Sequence, residues 1–242
     1  MKKQSNADSS TKKQTKTSGA MKKLFSMDNP LMKALTIAAD LLLLNLLTAV
    51  ISIPVITMGP AMIAMHEIVI HIIRGEEGYI IQPFFKAFAA NFKKGALMSL
   101  ILAVAGGILY VDYYAAVTFI PAMKVIVIAV GIIFLAISLY VFALFGRYEN
   151  TFRATWKNAV LLAIGNFPKT LFMILCSVGL WIVCIHFYKF GIPILLMFGF
   201  SLPCYVNILL LNDVFRKLEG DEPEDADEEA GSKFWKRFYK NK

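Results

Sequence analysis

Long apolar runs alternate with short cationic connectors along this chain. Residues 34–53 hold one charge, Asp40, and residues 96–113, 122–146, 169–188 and 192–211 read the same way. A helix of about 20 apolar residues spans the roughly 30 Å hydrocarbon core of a bilayer. A weaker run covers 59–73 and carries His66, Glu67 and His71. The pattern predicts an all-α, polytopic membrane bundle of about six spans, at approximately 34–53, 59–73, 96–113, 122–146, 169–188 and 192–211. Between the first two runs lies Pro54-Val55-Ile56-Thr57-Met58-Gly59-Pro60. Two prolines and a glycine so close together read as a tight turn, so Pro54, Thr57, Gly59 and Pro60 mark a helical hairpin.

Two connectors carry a second pattern. Ile81, Phe84, Phe85, Phe88 and Phe92 recur at helical spacing. In the later connector Phe152, Trp156, Val160, Ala163, Ile164 and Phe167 do the same, with Arg153, Lys157 and Asn158 on the other face. Such stripes predict short amphipathic helices lying in the membrane interface. Both arms end in Asn-Phe-x-Lys, at Asn91–Lys94 and Asn166–Lys169, and a span follows each. The order span, arginine, interfacial helix, Asn-Phe, span thus occurs twice in the same sense, as in the parallel repeats of transporters. The plainer alternative is that any short cytoplasmic connector tends to be basic and amphipathic.

Charge sets the expected orientation. Of the 25 Lys and Arg residues, all but Lys124 and Lys189 fall in the N-terminal tail, the connectors 74–95 and 147–169, or the C-terminal tail. Cytoplasmic loops carry the excess of Lys and Arg, so both termini and both arms are expected inside. The formal net charge of +8 then points to anionic lipid, worth about 1 kcal/mol per charge near the surface, and not to nucleic acid. The composition, 57% hydrophobic and 17% charged, excludes an ordinary soluble domain, in which about 25% of residues are charged.

Three segments result. Residues 1–23, rich in Lys, Ser, Thr and Gln without an apolar period, read as a disordered basic tail. Residues 24–217 form the membrane domain. Residues 218–242 run acidic (Glu219–Glu229) and then basic and aromatic (Lys233–Lys242). That last block reads as a membrane-touching or partner-docking peptide, or as a solvated tail whose opposite charges pair loosely. The first apolar run is longer than a signal-peptide core and begins too far into the chain, so it reads as a retained anchor.

Candidate chemistry is sparse. Cys176, Cys184 and Cys204 all sit inside apolar runs and read as buried thiols. A hairpin turning near residue 56 or 57 puts Asp40 level with His71 and Arg74, and Asn45 level with Glu67. A charge at mid-bilayer costs roughly 2.5–3.5 kcal/mol on insertion scales, so such groups pair and face protein. Asp40, Asn45, Glu67, His71 and Arg74 therefore read as a polar clasp between two helices, preferred here over a proton or substrate path. His66 and His71 are five apart and diverge on a helix, which is not the H-E-x-x-H spacing, and no third ligand is evident. G-x-S-x-G, Walker and dinucleotide motifs are all missing. No catalytic residue, metal or cofactor is expected, and the chain does not read as an enzyme.

Several of these segments resemble the YesL family of bacterial membrane proteins, a domain of unknown function (DUF624). They are Pro54-Val55-Ile56-Thr57-Met58-Gly59-Pro60-Ala61, Arg74-Gly75-Glu76, Phe84-Phe85-Lys86-Ala87-Phe88 and Asn91-Phe92-Lys93. The second arm adds Arg147-Tyr148, Asn158-Ala159 and Asn166-Phe167-Pro168-Lys169-Thr170. The resemblance covers about residues 24–217, and the histidines at 66 and 71 depart from it. It implies a multi-pass protein of the bacterial cell membrane, mostly in Gram-positive species. Members often occur beside carbohydrate ABC-import systems and are labelled permease-like. It implies no established activity.

The expected role is an accessory or permease-like component of carbohydrate uptake. Its arms, through Phe84, Phe85, Phe88, Asn91 and Phe92 and through Trp156, Asn158, Asn166, Phe167 and Pro168, would dock a cytoplasmic partner such as an importer ATPase. The arms lack the E-A-A-x-x-x-G signature of permease coupling helices. The alternative is a scaffold or regulator acting through its tails or arms. The expected partners are the bilayer and ABC importer subunits, and the oligomeric state stays open.

Overall fold

The computed structural model describes residues 30–75 and 78–219. The N-terminal tail and the charged blocks beyond Glu219 lie outside the described residues. The chain divides into two units, Met1–Asp40 and Leu41–Lys242. The described part of the first is the opening of helix α1 (Pro30–Ile51), where the Thr36 hydroxyl donates to the Met32 carbonyl at 3.0 Å.

The second unit holds the rest of α1 and the helices α2 (Val55–Ile73), α3 (Ile81–Ala90), α4 (Phe92–Phe119), α5 (Met123–Arg147), α6 (Phe152–Gly165), α7 (Phe167–His186), α8 (Tyr188–Phe198) and α9 (Ser201–Glu219). No strand occurs among the described residues. Among the described residues, five helices (α1, α2, α4, α5 and α7) are long and apolar enough to cross a membrane. The pair α8 and α9, bent by 55°, makes a sixth if it counts as one span. The two predicted arms are α3 and α6.

The least apolar run forms the centre. Helix α2 packs against α3, α4, α5 and α9, and Ala61, Ile63, Ala64, Met65 and Val69 are fully buried. A helix enclosed by protein on most sides needs less hydrophobicity than one facing lipid, because its neighbours can satisfy its polar groups. Helices α4 and α5 show the converse, with Leu100, Val104, Ile108, Ile126 and Ile133 exposed where hydrocarbon would lie.

The hairpin differs from the predicted turn. Helix α1 ends at Ile51 and α2 starts at Val55, so only Pro54 stands in the turn. Thr57 lies in the first turn of α2 and donates back to the Ile51 and Pro54 carbonyls. Gly59 and Pro60 lie inside the helix. Proline has no N–H, so Ile56 loses the donor that would come from position 60. Ser99 on α4 repairs the defect. Its hydroxyl accepts the Gly59 N–H at 2.6 Å and is shared between the Ile56 carbonyl (3.3 Å) and the Gly95 carbonyl of its own helix (3.2 Å).

This repair needs the two backbones close together. A Cβ on Gly59 would strike the Gly95 carbonyl, and one on Gly95 would strike the backbone of Pro60. Small residues permit such close approach between membrane helices. Gly146 on α5 does the same against α2, where an added Cβ would meet His66 and the Glu67 nitrogen at 3.0 Å. At its far end α2 stops at Arg74, and Gly75 takes the left-handed conformation (φ 72°) that lets the chain leave the helix.

Replacing Gly95 with Val should therefore overpack the centre and cost about 1–3 kcal/mol. Gly107→Ala, where an added Cβ meets open space, should change stability by less than about 0.5 kcal/mol. Thermal unfolding of the purified protein in detergent compares the two directly.

Candidate functional site

The last span is broken, and Asn45 fills the break. In a continuous helix the Phe200 and Ser201 N–H groups would donate to the carbonyls four residues earlier, Leu196 and Met197. Both instead donate to Oδ1 of Asn45, at 2.7 and 3.0 Å. The Asn45 Nδ2 group donates to the Leu196 carbonyl at 2.8 Å and approaches that of Leu195 at 3.5 Å. One fully buried amide on α1 thus stands in for the missing backbone ladder between α8 and α9. Local sequence makes the break possible, with Gly199 at the joint and Pro203, which has no N–H, in the first turn of α9. Discontinuous membrane helices of this kind form the binding sites of many transporters.

The face of α1 that carries Asn45 also carries Leu41, Leu44 and Thr48, all buried. The hydroxyl oxygens of Thr48 and of Ser201, the first residue of α9, are buried with no hydrogen-bond partner.

The two arms join their spans with the same geometry. Asn91 links α3 to α4, and Asn166 links α6 to α7. Each asparagine sends its Nδ2 group back to the carbonyl four residues earlier, Ala87 at 3.1 Å and Leu162 at 3.2 Å. Each backbone N–H goes to that same carbonyl. The residue four positions on then donates its N–H to the asparagine carbonyl, from Gly95 at 2.8 Å and from Thr170 at 2.9 Å. The resemblance between the two connectors is therefore one of structure as well as sequence.

Different polar contacts fasten each junction to the bundle. Asn91 also donates to Oε2 of Glu67 on α2 at 3.3 Å. At the second junction the Thr170 hydroxyl bonds the Ala163 carbonyl (2.9 Å) and the Tyr140 hydroxyl of α5 (2.9 Å). The Arg147 guanidinium, at the end of α5, lies over the Phe215 ring of α9, 5.5 Å from its centroid.

Two of the predicted clasp residues have contacts outside the first hairpin. Asn45 serves the break in the last span, and Glu67 meets Asn91 at the first arm. Asp40 ends the first unit, half-buried, while His71 and Arg74 close α2 in the second. On the arms Phe84 is buried, and Phe88, Asn91, Trp156 and Asn166 are half-buried. Phe85, Phe92, Asn158, Phe167 and Pro168 are exposed. His66 is buried, bonds the Met62 carbonyl through Nδ1 at 2.8 Å and stacks on Phe142.

The fold and these features define an integral membrane protein with several spans. A family model described as a protein of unknown function, DUF624, matches residues 41–113. That region contains Asn45, the hairpin, the Gly59–Gly95 crossing and the first arm. The chain is also 24% identical over 189 residues to "Uncharacterized protein YteU" of Bacillus subtilis (strain 168). That match takes in 75% of this chain and 83% of the relative. Both findings support the resemblance to the DUF624 family. No solved structure matches it.

Asn45→Leu should strand two N–H groups and a carbonyl inside the bundle. A single buried unsatisfied group costs about 1–3 kcal/mol, so a loss of at least that size is expected. Leu46→Ala, on the exposed side of the same helix, is the control. Unfolding midpoints in detergent should separate the two clearly.

Proposed function

We propose that this protein is a permease-like or accessory, non-catalytic component of carbohydrate uptake in the bacterial cell membrane, with its termini and both arms in the cytoplasm. The observation that carries the reading is the broken last span, whose backbone is held open by Asn45. A helix break is where membrane transporters expose backbone groups to a substrate or ion. The orientation rests on the Lys and Arg excess in the tails and arms. The carbohydrate assignment rests on the resemblance to a family whose members often occur beside sugar importers.

The arms supply the docking surface in this reading. Each has an inner face that packs on the bundle and an outer face that does not. On α3 the outer face shows Ile81 and Phe85 with Lys86; on α6 it shows Leu161 and Ile164 with Lys157. An apolar patch with a cationic border suits a partner whose docking groove is apolar with an acidic rim.

Tagged protein drawn from native membranes in mild detergent should bring down a transport ATPase or permease subunit. Phe85→Glu together with Ile164→Glu should lower that recovery at least about fivefold at unchanged membrane level, because a buried unpaired charge at an interface costs several kcal/mol. If no transporter subunit co-purifies, the uptake reading fails. If deletion of residues 220–242 abolishes the cellular phenotype with insertion intact, the scaffold reading replaces it.

A further inference from the structure

We propose that the break between α8 and α9 binds a monovalent cation of the sodium class, held by the Thr48 and Ser201 hydroxyls and by backbone carbonyls that the break releases. This goes beyond the uptake reading and does not depend on it.

Hydrogen bonding at the break is one-sided. Buried polar groups almost always have a partner, and an exception calls for an unseen water or ion. Thr48 and Ser201 are each 0% exposed, yet their hydroxyl oxygens are among the buried side-chain atoms without one. Thr48 follows Asn45 by one turn on the same helix face, and the Ser201 N–H donates to the Asn45 Oδ1.

The carbonyls point to the same imbalance. Asn45 takes the N–H groups of Phe200 and Ser201. It returns a strong donor only to Leu196, so Met197 loses its ladder donor, Ser201. The ladder donor for Gly199 would come from residue 203, which is a proline with no N–H. Two hydroxyls without a partner and two carbonyls without their ladder donors therefore belong to residues at or beside the break, where the Phe200 and Ser201 N–H groups are already engaged.

Those properties select the ligand class. An anion would need the N–H groups that Asn45 already occupies. A calcium-like divalent ion draws on carboxylates, whereas all four oxygens here are neutral. Neutral hydroxyls and unwound backbone carbonyls are what broken membrane helices offer to sodium, and rings of carbonyls alone suffice for monovalent ions in channels. Water is the competing occupant.

Thermal unfolding of the purified full chain in detergent, in NaCl and in choline chloride at equal ionic strength, tests the assignment. Wild type should unfold at least about 2–4 °C higher in saturating sodium, because a ligand that binds only the folded state raises its stability. Thr48→Val with Ser201→Ala should abolish that increment. Ser201→Ala alone, a smaller change, should weaken the apparent sodium affinity at least about tenfold if the double variant does not fold. Equal wild-type midpoints in the two salts would mean that water fills the break, and the proposal falls. It falls equally if the increment persists undiminished in the Ser201→Ala and double variants, since sodium then binds elsewhere.

Discussion

Inside hydrocarbon no water can satisfy a backbone N–H or C=O that has lost its helical partner, so the protein itself must supply one. Two interruptions among the described helices stand out, Pro60 in α2 and residues 199–200 between α8 and α9. Each is repaired by one short polar side chain from a different helix. Ser99 of α4 takes the Gly59 N–H and reaches the Ile56 carbonyl. Asn45 of α1 takes two N–H groups and supplies a donor to a carbonyl. Each repair works only while the donating helix stays in place, so it fixes tertiary position as well as supplying partners to part of the interrupted ladder. In a membrane, where lipid is as apolar as leucine and helices are not driven together by water, such contacts and close packing are what hold helices in register.

The placement of small and polar residues follows. Gly59 and Gly95 let α2 and α4 approach closely enough for a serine to reach across, and Gly146 brings α5 onto the opposite side near His66. The central helix consequently combines close glycine contacts, an internal proline and the polar residues His66 and Glu67. The outer halves of α4 and α5 present valine and isoleucine instead.

Much of this was legible in the sequence. Period and run length gave the helical class and about six spans, against five span-length helices among the described residues and a bent pair that makes a sixth if it counts as one. The phenylalanine stripes gave α3 and α6 nearly to the residue, and the paired Asn-Phe-x-Lys segments marked two junctions of matching geometry. The rest needed three-dimensional partners. Gly59 and Pro60 read as a turn because those residue types usually end helices; only the serine forty positions later lets the helix pass through them. The unbroken run 192–211 reads as one span because apolar composition cannot show a bend, although Gly199 followed by Pro203 was the available signal. Asn45 was recognisable as a buried polar group that needs a partner. Its actual partners lie some 150 residues away, and equal depth on a hairpin picks out only the adjacent helix.

The break is better understood as a clamped joint than as a free hinge. A hinge absorbs backbone change at little cost, whereas here one amide holds the ends of two helical segments through three hydrogen bonds no longer than 3.0 Å. Straightening the last span would return its N–H groups to the ladder but strand the Asn45 amide among apolar neighbours such as Leu41 and Leu44. Bending it further would strand the N–H groups. Either motion is opposed unless the segment of α1 that carries Asn45 moves with it. Any working motion at this site therefore has to move that segment and the last span together. Below the break, Lys169 of α7 donates to the Leu210 carbonyl at 3.0 Å and lies 3.7 Å from the Asp213 carboxylate. Arg147 rests on Phe215 at the same end. The lower half of the last span is thereby tied to both ends of the second arm, so a displacement at the break would be carried to that arm, where a partner could sense it.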